Sequence, residues 1–114
     1  MSEQRGSEFE INFGEHNAYK VVKIKGALNM FNAPTFRKQT EELLAAPASV
    51  IVDLQKCDYV DSSGMGSLVT LHKLAMKEKQ RLYLFNPVDR VRSTFELVKI
   101  DKLFSIINDF SELD

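Results

Sequence analysis

Hydrophobic and polar residues alternate along two stretches near the start of the chain, residues 9–13 and 19–25. A period of two is typical of strands with one buried face. The polar residues 14–17 between them predict a turn, so the two strands are expected to pair as a hairpin. The alternating apolar residues are Phe9, Ile11 and Phe13 in the first stretch, and Val22 and Ile24 in the second.

Three later segments place apolar residues at helical spacing. The first helix is expected to begin at Asn32, as its cap, with Pro34 in the first turn, and to end at Pro47. The second covers residues 63–79, and the third follows Pro87. The expected buried stripes are Phe36, Thr40, Leu43 and Leu44 in the first helix, Met65, Leu68, Val69, Ala75 and Met76 in the second, and Val88, Val91, Phe95 and Val98 in the third.

Further strands lie between and after these helices. Residues 49–54 form a continuous apolar run, which is typical of a strand buried on both faces of a parallel sheet. Residues 82–85 predict another strand, and residues 103–107 a short strand or turn. The order β-β-α-β-α-β-α-β predicts an α/β fold, with an N-terminal hairpin and helices packed on a mixed four- to five-stranded sheet. We expect one domain over residues 9–114, preceded by a flexible polar segment over residues 1–8.

The bulk composition narrows the possible functions. The chain has 114 residues with 15 basic and 16 acidic side chains, a net charge of −1, which gives no electrostatic case for binding nucleic acid. No apolar run approaches the roughly 20 residues of a membrane span, and the first residues lack the apolar core of a signal peptide. Cys57 is the only cysteine in the sequence, which fits a reducing compartment. We therefore expect a cytoplasmic protein.

The polar corner Asp61-Ser62-Ser63-Gly64 joins the central strand to the second helix. Open parallel sheets gather their sites at the carboxyl ends of strands, which is where this corner lies. Its residue types are common helix caps, and that structural role alone would account for them. Alternatively, a serine at a helix start can accept a phosphate, because unpaired N–H groups and the helix dipole favour negative charge there. The residues by themselves leave both interpretations open.

Other chemistry receives little support from the sequence. The chain lacks the Gly-x-Ser-x-Gly elbow of serine hydrolases and the Walker phosphate loop. His16 and His72 are expected to be a turn residue and a packed helix residue rather than catalytic bases. Asp53, Asp58 and Asp61 lie near the same edge and could hold Mg²⁺, although solvated loop carboxylates are the commoner explanation. We expect no metal site and no cofactor.

Residues 59–66, Tyr-Val-Asp-Ser-Ser-Gly-Met-Gly, follow the strand Val-Ile-Val-Asp-Leu of residues 50–54. Together these segments resemble the signature of STAS domains, and in particular the bacterial anti-sigma factor antagonists. The resemblance runs through nearly the whole chain, including Asn32-Ala33-Pro34 at the first helix and Asn86-Pro87 after the fourth strand. It implies the same α/β fold and a regulatory binding protein rather than an enzyme.

The resemblance also implies a mechanism. In that family the serine directly after the aspartate is phosphorylated, which implies Ser62 here, with Ser63 a minor possibility. The unphosphorylated antagonist binds an anti-sigma factor, often itself a serine kinase, and so releases a sigma factor for transcription. Phosphorylation inactivates the antagonist, and a PP2C-type phosphatase restores it. The implied partner-binding residues are Asp61, Ser62, Ser63, Gly64, Met65, Asn29, Met30 and Phe31.

One segment departs from the family pattern. Members commonly carry Gly-Glu-Leu/Ile-Asp at the end of the second strand, whereas this chain has Gly26-Ala27-Leu28-Asn29. The loss of both acids changes the surface next to the expected phosphorylation site, and kinase recognition is expected to differ. It also favours an alternative, a STAS scaffold or transport-complex subunit that is not phosphorylated. The oligomeric state is left open between a monomer and a weak dimer.

Overall fold

The structure, a computed structural model, describes residues 9–46 and 48–113. The predicted order of elements is confirmed. The elements are β1 (Glu10–His16), β2 (Tyr19–Leu28), α1 (Ala33–Ala45), β3 (Val50–Val60), α2 (Ser62–Lys77), β4 (Leu82–Phe85), α3 (Asp89–Leu97), β5 (Ser105–Ile107) and a 3₁₀ turn (Phe110–Glu112). The predicted flexible segment over residues 1–8 and the predicted helix end at Pro47 lie outside the described residues.

The five strands form one mixed sheet in the order β1-β2-β3-β4-β5. β1 is antiparallel to β2, and every later pairing is parallel, so the predicted N-terminal hairpin and mixed sheet are confirmed. Right-handed crossovers between neighbouring strands place all three helices on the same face of the sheet. The main core accordingly contains residues from every helix and from β2, β3 and β4, with Phe36, Leu68, Leu71 and Phe95 among its fully buried side chains.

The opposite face of the sheet carries a smaller apolar cluster. Val21, Ile51, Tyr83, Phe85 and Ile107 form it, and the C-terminal residues Phe110 and Leu113 pack against it. The predicted continuous burial of the central strand is therefore confirmed, because residues 50–54 are buried on both faces.

The hairpin is tighter than the sequence predicts. Gly14 and Glu15 pair with Val21 and Lys20, so β1 continues to His16 and the predicted turn over residues 14–17 is wrong. The connection is only Asn17 and Ala18, with Asn17 at φ 55°. Backbone pairing in the sheet extends the strand across polar residues that read as a turn in isolation.

β2 and β3 also run past their predicted ends, to Leu28 and Val60. The predicted strands over residues 19–25 and 49–54 are therefore too short at their C-terminal ends. Two register shifts, at Lys23/Lys25 and at Gly26/Ala27, keep the strands paired through this segment. Such irregularities let Leu28, Cys57 and Val60 stay buried although polar residues interrupt the apolar pattern.

Two members of the predicted helix stripes lie outside the core. Met76 is 64% exposed, and Val98 lies just after the end of α3 and is half-exposed. Leu71, which was not among the predicted stripe residues, is fully buried instead. The buried face of α2 follows Gly64, Ser67, Leu68, Leu71 and Ala75, which turns Met76 toward solvent.

Candidate functional site

α2 begins directly after β3, with Asp61 as its N-cap. The backbone N–H of Gly64 donates to Oδ1 of Asp61 at 2.9 Å, which satisfies one of the unpaired donors of the first turn. The helix therefore starts at Ser62, one residue earlier than predicted. Ser62 and Ser63 are both exposed. Within the part of the chain that the structure describes, neither hydroxyl has a hydrogen-bond partner.

Asp61 also joins the helix start to the connection between β2 and α1. Its second carboxylate oxygen, Oδ2, accepts a hydrogen bond from the backbone N–H of Met30 at 3.0 Å. Its own backbone N–H donates to the carbonyl of Leu28 at 3.1 Å. One side chain thus holds together two segments that lie 31 residues apart in sequence.

The connection itself, residues 29–32, is a hydrogen-bonded loop that we call the 29–32 loop. The Asn32 side chain accepts from the backbone N–H of Asn29 at 2.9 Å and donates to the carbonyl of Ala27 at 2.8 Å. The side-chain oxygen of Asn29 accepts from the backbone N–H of Phe31 at 2.9 Å. Asn32 lies at the N-cap position of α1 as predicted, but its side chain serves the loop and makes no capping hydrogen bond.

This loop holds two apolar side chains out toward solvent. Met30 is 61% exposed and Phe31 is 85% exposed, although their backbone N–H groups are both hydrogen-bonded. Exposed apolar side chains on an ordered backbone are typical of a binding surface, because less conformational entropy is lost on contact.

Gly64 occupies the inner side of the same turn. A Cβ atom at this position would lie 2.6 Å from the carbonyl oxygen of Leu28 and 2.9 Å from side-chain atoms of Leu28 and Val60. Only glycine allows the helix to approach the end of β2 this closely. Met65 is also buried. The structure thus brings all eight predicted partner-binding residues together, with Ser62, Ser63, Met30 and Phe31 on the surface, Asn29 and Asp61 partly exposed, and Gly64 and Met65 beneath them.

The two serines line different grooves. The α2–α3 groove, of about 620 Å³, is largely apolar. The α1–α2 groove, of about 360 Å³, is less apolar and contains the guanidinium of Arg37. Ser62 lines the first with Tyr59, Val69, Val98 and Ile100, and Ser63 lines the second with Met30, Arg37, Ser67 and Thr70.

Sequence reasoning missed two residues of this neighbourhood. Arg37 has no functional signal in the sequence. It pairs with Glu41 at 3.4 Å and also borders the groove of Ser63. Tyr59 was noted only as part of the motif, and it borders the groove of Ser62. The spacing within α1 could have placed Arg37 near Pro34, but nothing local in the sequence places α1 beside α2.

The acidic residues of this edge do not form a metal site. Asp53 is buried and its two carboxylate oxygens accept hydrogen bonds from the backbone and side chain of Gln55. Asp58 is exposed on β3, and Asp61 is the helix cap. Among residues 9–46 and 48–113, no group of three His, Cys, Asp or Glu side chains is placed to hold a metal ion. The suggestion that these three aspartates could hold Mg²⁺ is therefore wrong.

The remaining ionisable candidates are engaged elsewhere. The ring of His72 contacts Phe104 edge-on at 5.8 Å, and His16 stacks on Phe110 at 4.1 Å. Burial raises the pKa of the Cys57 thiol to about 11, so the thiol is protonated and unreactive near neutral pH.

Of the helices in the described ranges, none has the length and apolar character to cross a membrane.

Comparison with known proteins supports the resemblance found in the sequence. The family model of the STAS domain matches residues 10–113. An anti-sigma-B factor antagonist of Listeria monocytogenes is 29% identical over 101 residues, covering 89% of this chain and 79% of the relative.

Solved structures agree in fold. An anti-sigma factor antagonist from Mycobacterium paratuberculosis superposes with a TM-score of 0.81 at 19% identity, covering 93% of this chain and 91% of that one. The phosphorylated form of the Bacillus cell fate determinant SpoIIAA superposes with a TM-score of 0.68 at 18% identity, covering 93% and 96% of the two chains.

Proposed function

This chain belongs to the STAS domain family, and on that premise we propose that it is an anti-sigma factor antagonist controlled by phosphorylation of Ser62. The general role is supported by relatives that are named anti-sigma-B factor antagonists. The chain would act in the cytoplasm as a binding protein without catalytic activity, and it would regulate sigma-factor-dependent transcription.

The observation that carries the proposal is the position of Ser62. It is the first residue of α2, it is exposed, and the cap beneath it is already complete through Asp61. A phosphate of roughly −1.5 to −2 charge can be added there next to the positive end of the helix dipole. The fold can therefore accept the modification without rearranging its core.

The added charge would act on a partner rather than on the fold. Ser62 borders the apolar α2–α3 groove, and Met30 and Phe31 are exposed on the other side of Asp61. A partner that covers these apolar side chains would have to bury a dianion next to them, which is costly without a paired cation. Phosphorylation by the anti-sigma factor kinase would thus release the antagonist, and a PP2C-type phosphatase would restore binding.

The two family acids that are missing here suggest what kind of contact the partner makes. Ala27 and Asn29 occupy their positions, and the Asn29 side chain stabilises the 29–32 loop by accepting a hydrogen bond from Phe31. The 29–32 loop therefore has no charged side chain, and Phe31 is its most exposed residue among the large apolar side chains. We expect recognition through an apolar pocket on the partner that receives Phe31, because large side chains at the centre of an interface carry most of its energy.

The test uses the cognate anti-sigma factor kinase with Mg-ATP. Mass spectrometry is expected to find one phosphoryl group on the wild-type chain and none on Ser62→Ala, while Ser63→Ala, the matched neighbour, is still modified. Binding of the kinase should persist for Ser62→Ala and weaken about 100-fold or more for Ser62→Glu, since a buried unpaired charge costs several kcal/mol. Phe31→Ala should weaken binding of the kinase at least about tenfold. Phosphorylation of Ser62 in this variant should still be detected.

A chain that never gains a phosphoryl group on Ser62 or Ser63, yet binds its partner equally well as wild type and as Ser62→Glu, would contradict the proposal. That result would favour the unphosphorylated STAS scaffold or transport-complex subunit instead. Modification of Ser63 alone would keep the switch but move it to the α1–α2 groove.

A further inference from the structure

β1 forms one edge of the sheet. β1 is the first strand of the sheet, and no other strand of the described residues lies beyond it. Natural edge strands are usually shortened, bulged, charged with lysine, interrupted by proline or covered, because an open edge offers unpaired backbone groups to another strand. β1 is seven residues long, contains neither lysine nor proline, and pairs with β2 in one continuous register.

The side chains of β1 also do not block another strand from pairing with this edge. Its two glutamates are drawn toward β2, where Glu15 pairs with Lys20 at 2.6 Å and Glu10 with Lys25 at 3.8 Å. Between them Phe13 is 49% exposed and Gly14 has open space where a Cβ would be. The opposite edge of the sheet, β5, has only three residues. Among residues 9–46 and 48–113, the sheet thus has one long edge, β1, with an apolar side chain at its centre.

We propose that this edge pairs with the same edge of a second copy of the chain, antiparallel and centred on Phe13. In this register all seven residues of β1 find a partner, and Phe13 lies opposite the partner's Phe13. Asn12 lies opposite the partner's Gly14, whose open space accommodates it. No two glutamates are opposed, because Glu10 meets the partner's His16 and Glu15 meets the partner's Ile11, so like charges directly across the strands are avoided.

A second copy of the chain is the expected partner because β1 is complementary to its own antiparallel copy. A strand that is antiparallel to its own copy satisfies backbone donors and acceptors on both sides, and an aromatic pair across the two-fold axis adds to this. The product is a ten-stranded sheet with all six helices on one face. Because the contact consists of one seven-residue strand from each chain, it is expected to be weak, with a dissociation constant in the micromolar range.

The first test is sedimentation equilibrium of the full chain from low to high micromolar concentration. The average mass should rise from that of one chain toward that of two. Phe13→Lys introduces the residue that commonly guards natural edges, and it should raise the dissociation constant at least about tenfold. The matched control is Phe31→Lys, an exposed phenylalanine outside β1, which should leave the association unchanged. Circular dichroism confirms that each variant is folded.

The second test reads the register. In a mixture of Asn12→Cys and Gly14→Cys chains, the two thiols lie directly opposite, within the Cα separation of roughly 4.4 to 6.8 Å that a disulfide needs. Mild oxidation should crosslink the mixture. Each variant alone should stay uncrosslinked, because its two cysteines are offset by two residues along the strands. Cys57 is buried and does not compete.

A chain that stays monomeric throughout the concentration range and a mixture that does not crosslink would overturn the proposal. A dimer that survives Phe13→Lys would place the contact on another surface and would overturn it as well. A different protein that crosslinks to Asn12→Cys in place of a second copy would show that β1 pairs with a strand of that protein. This result would also overturn the proposal. Neither test depends on phosphorylation, so the proposed function can fail or stand independently.

Discussion

The inner and outer sides of the first turn of α2 are built in opposite ways. On the inner side Gly64 touches the end of β2, and Val60 and Cys57 are fully packed. On the outer side Ser62 and Ser63 are exposed, with hydroxyls that bond to nothing else in the described chain. Asp61 stands between the two sides and is fixed by hydrogen bonds to both the helix and the 29–32 loop.

This contrast separates the tolerance of the fold from the sensitivity of the surface. A close-packed interior transmits any added volume as strain, whereas an exposed helix start accepts negative charge at little cost. A site with a rigid inner side can therefore change its outer charge without losing its shape. The free energies of unfolding of single variants on the two sides measure how much the inner and outer sides differ in their contribution to stability.

The largest effect is expected on the inner side, from Gly64→Ala. Its Cβ would lie 2.6 Å from a backbone oxygen, so the helix must shift, and the free energy of unfolding should fall by about 2 to 3 kcal/mol. Gly66→Ala is the matched control in the same helix. Its Cβ would meet nothing within 4 Å, so it should raise stability by up to about 1 kcal/mol. Urea denaturation of both variants measures the difference, and equal effects would show that the inner side is not tightly packed.

Asp61→Ala should have the next largest effect. It removes the cap on Gly64 and the link to Met30, which together should lower the free energy of unfolding by about 1 to 2 kcal/mol. Hydrogen exchange of the Met30 amide should also become faster, because that amide loses its acceptor. Asp58→Ala, an exposed aspartate on β3, should change neither quantity. If Met30 exchanges at the wild-type rate in Asp61→Ala, the link between the loop and the helix is not what orders the loop.

The smallest effects on stability are expected on the outer side. Ser62→Glu and Phe31→Ala should each stay within about 0.5 kcal/mol of the wild type. For Ser62→Glu the sign should be stabilising, because negative charge is favourable at a helix N-terminus. Thermal unfolding at low and at high salt checks the sign, since salt screens the dipole interaction. A loss of more than 1 kcal/mol in either variant would mean that the outer residues support the fold.

The sequence predicts the order of elements well because each helix has an apolar stripe at helical spacing and each strand has either an alternating or a continuous apolar run. The sequence predicts the ends of the strands less well, because backbone pairing with the neighbouring strand determines where each strand ends. Lys56 and its polar neighbours look like a loop, but two register shifts keep them in β3. The assignment of Ser62 and Ser63 to different grooves depends on where α2 starts, and the cap of Asp61 moves that start by one residue.

The hydrogen bond between Met30 and Asp61 could not be predicted from any local pattern. It joins residues that are 31 positions apart, and only the parallel pairing of β2 with β3 brings the two together. The same pairing places Gly64 against Leu28. The family motif points to the residues of the site, but the geometry that makes it rigid is a property of the whole sheet.

The order of the strands in the sheet has a consequence for how the chain folds. Every strand pairs only with strands that are adjacent in sequence, so no pairing has to close a loop longer than one helical crossover. Loop-closure entropy is thereby kept small at every step, which favours fast folding for a largely parallel sheet. The sheet can grow strand by strand in the direction of synthesis. The hydrogen bond between Met30 and Asp61 can form once α2 has docked, before α3 has packed and β5 has joined the sheet.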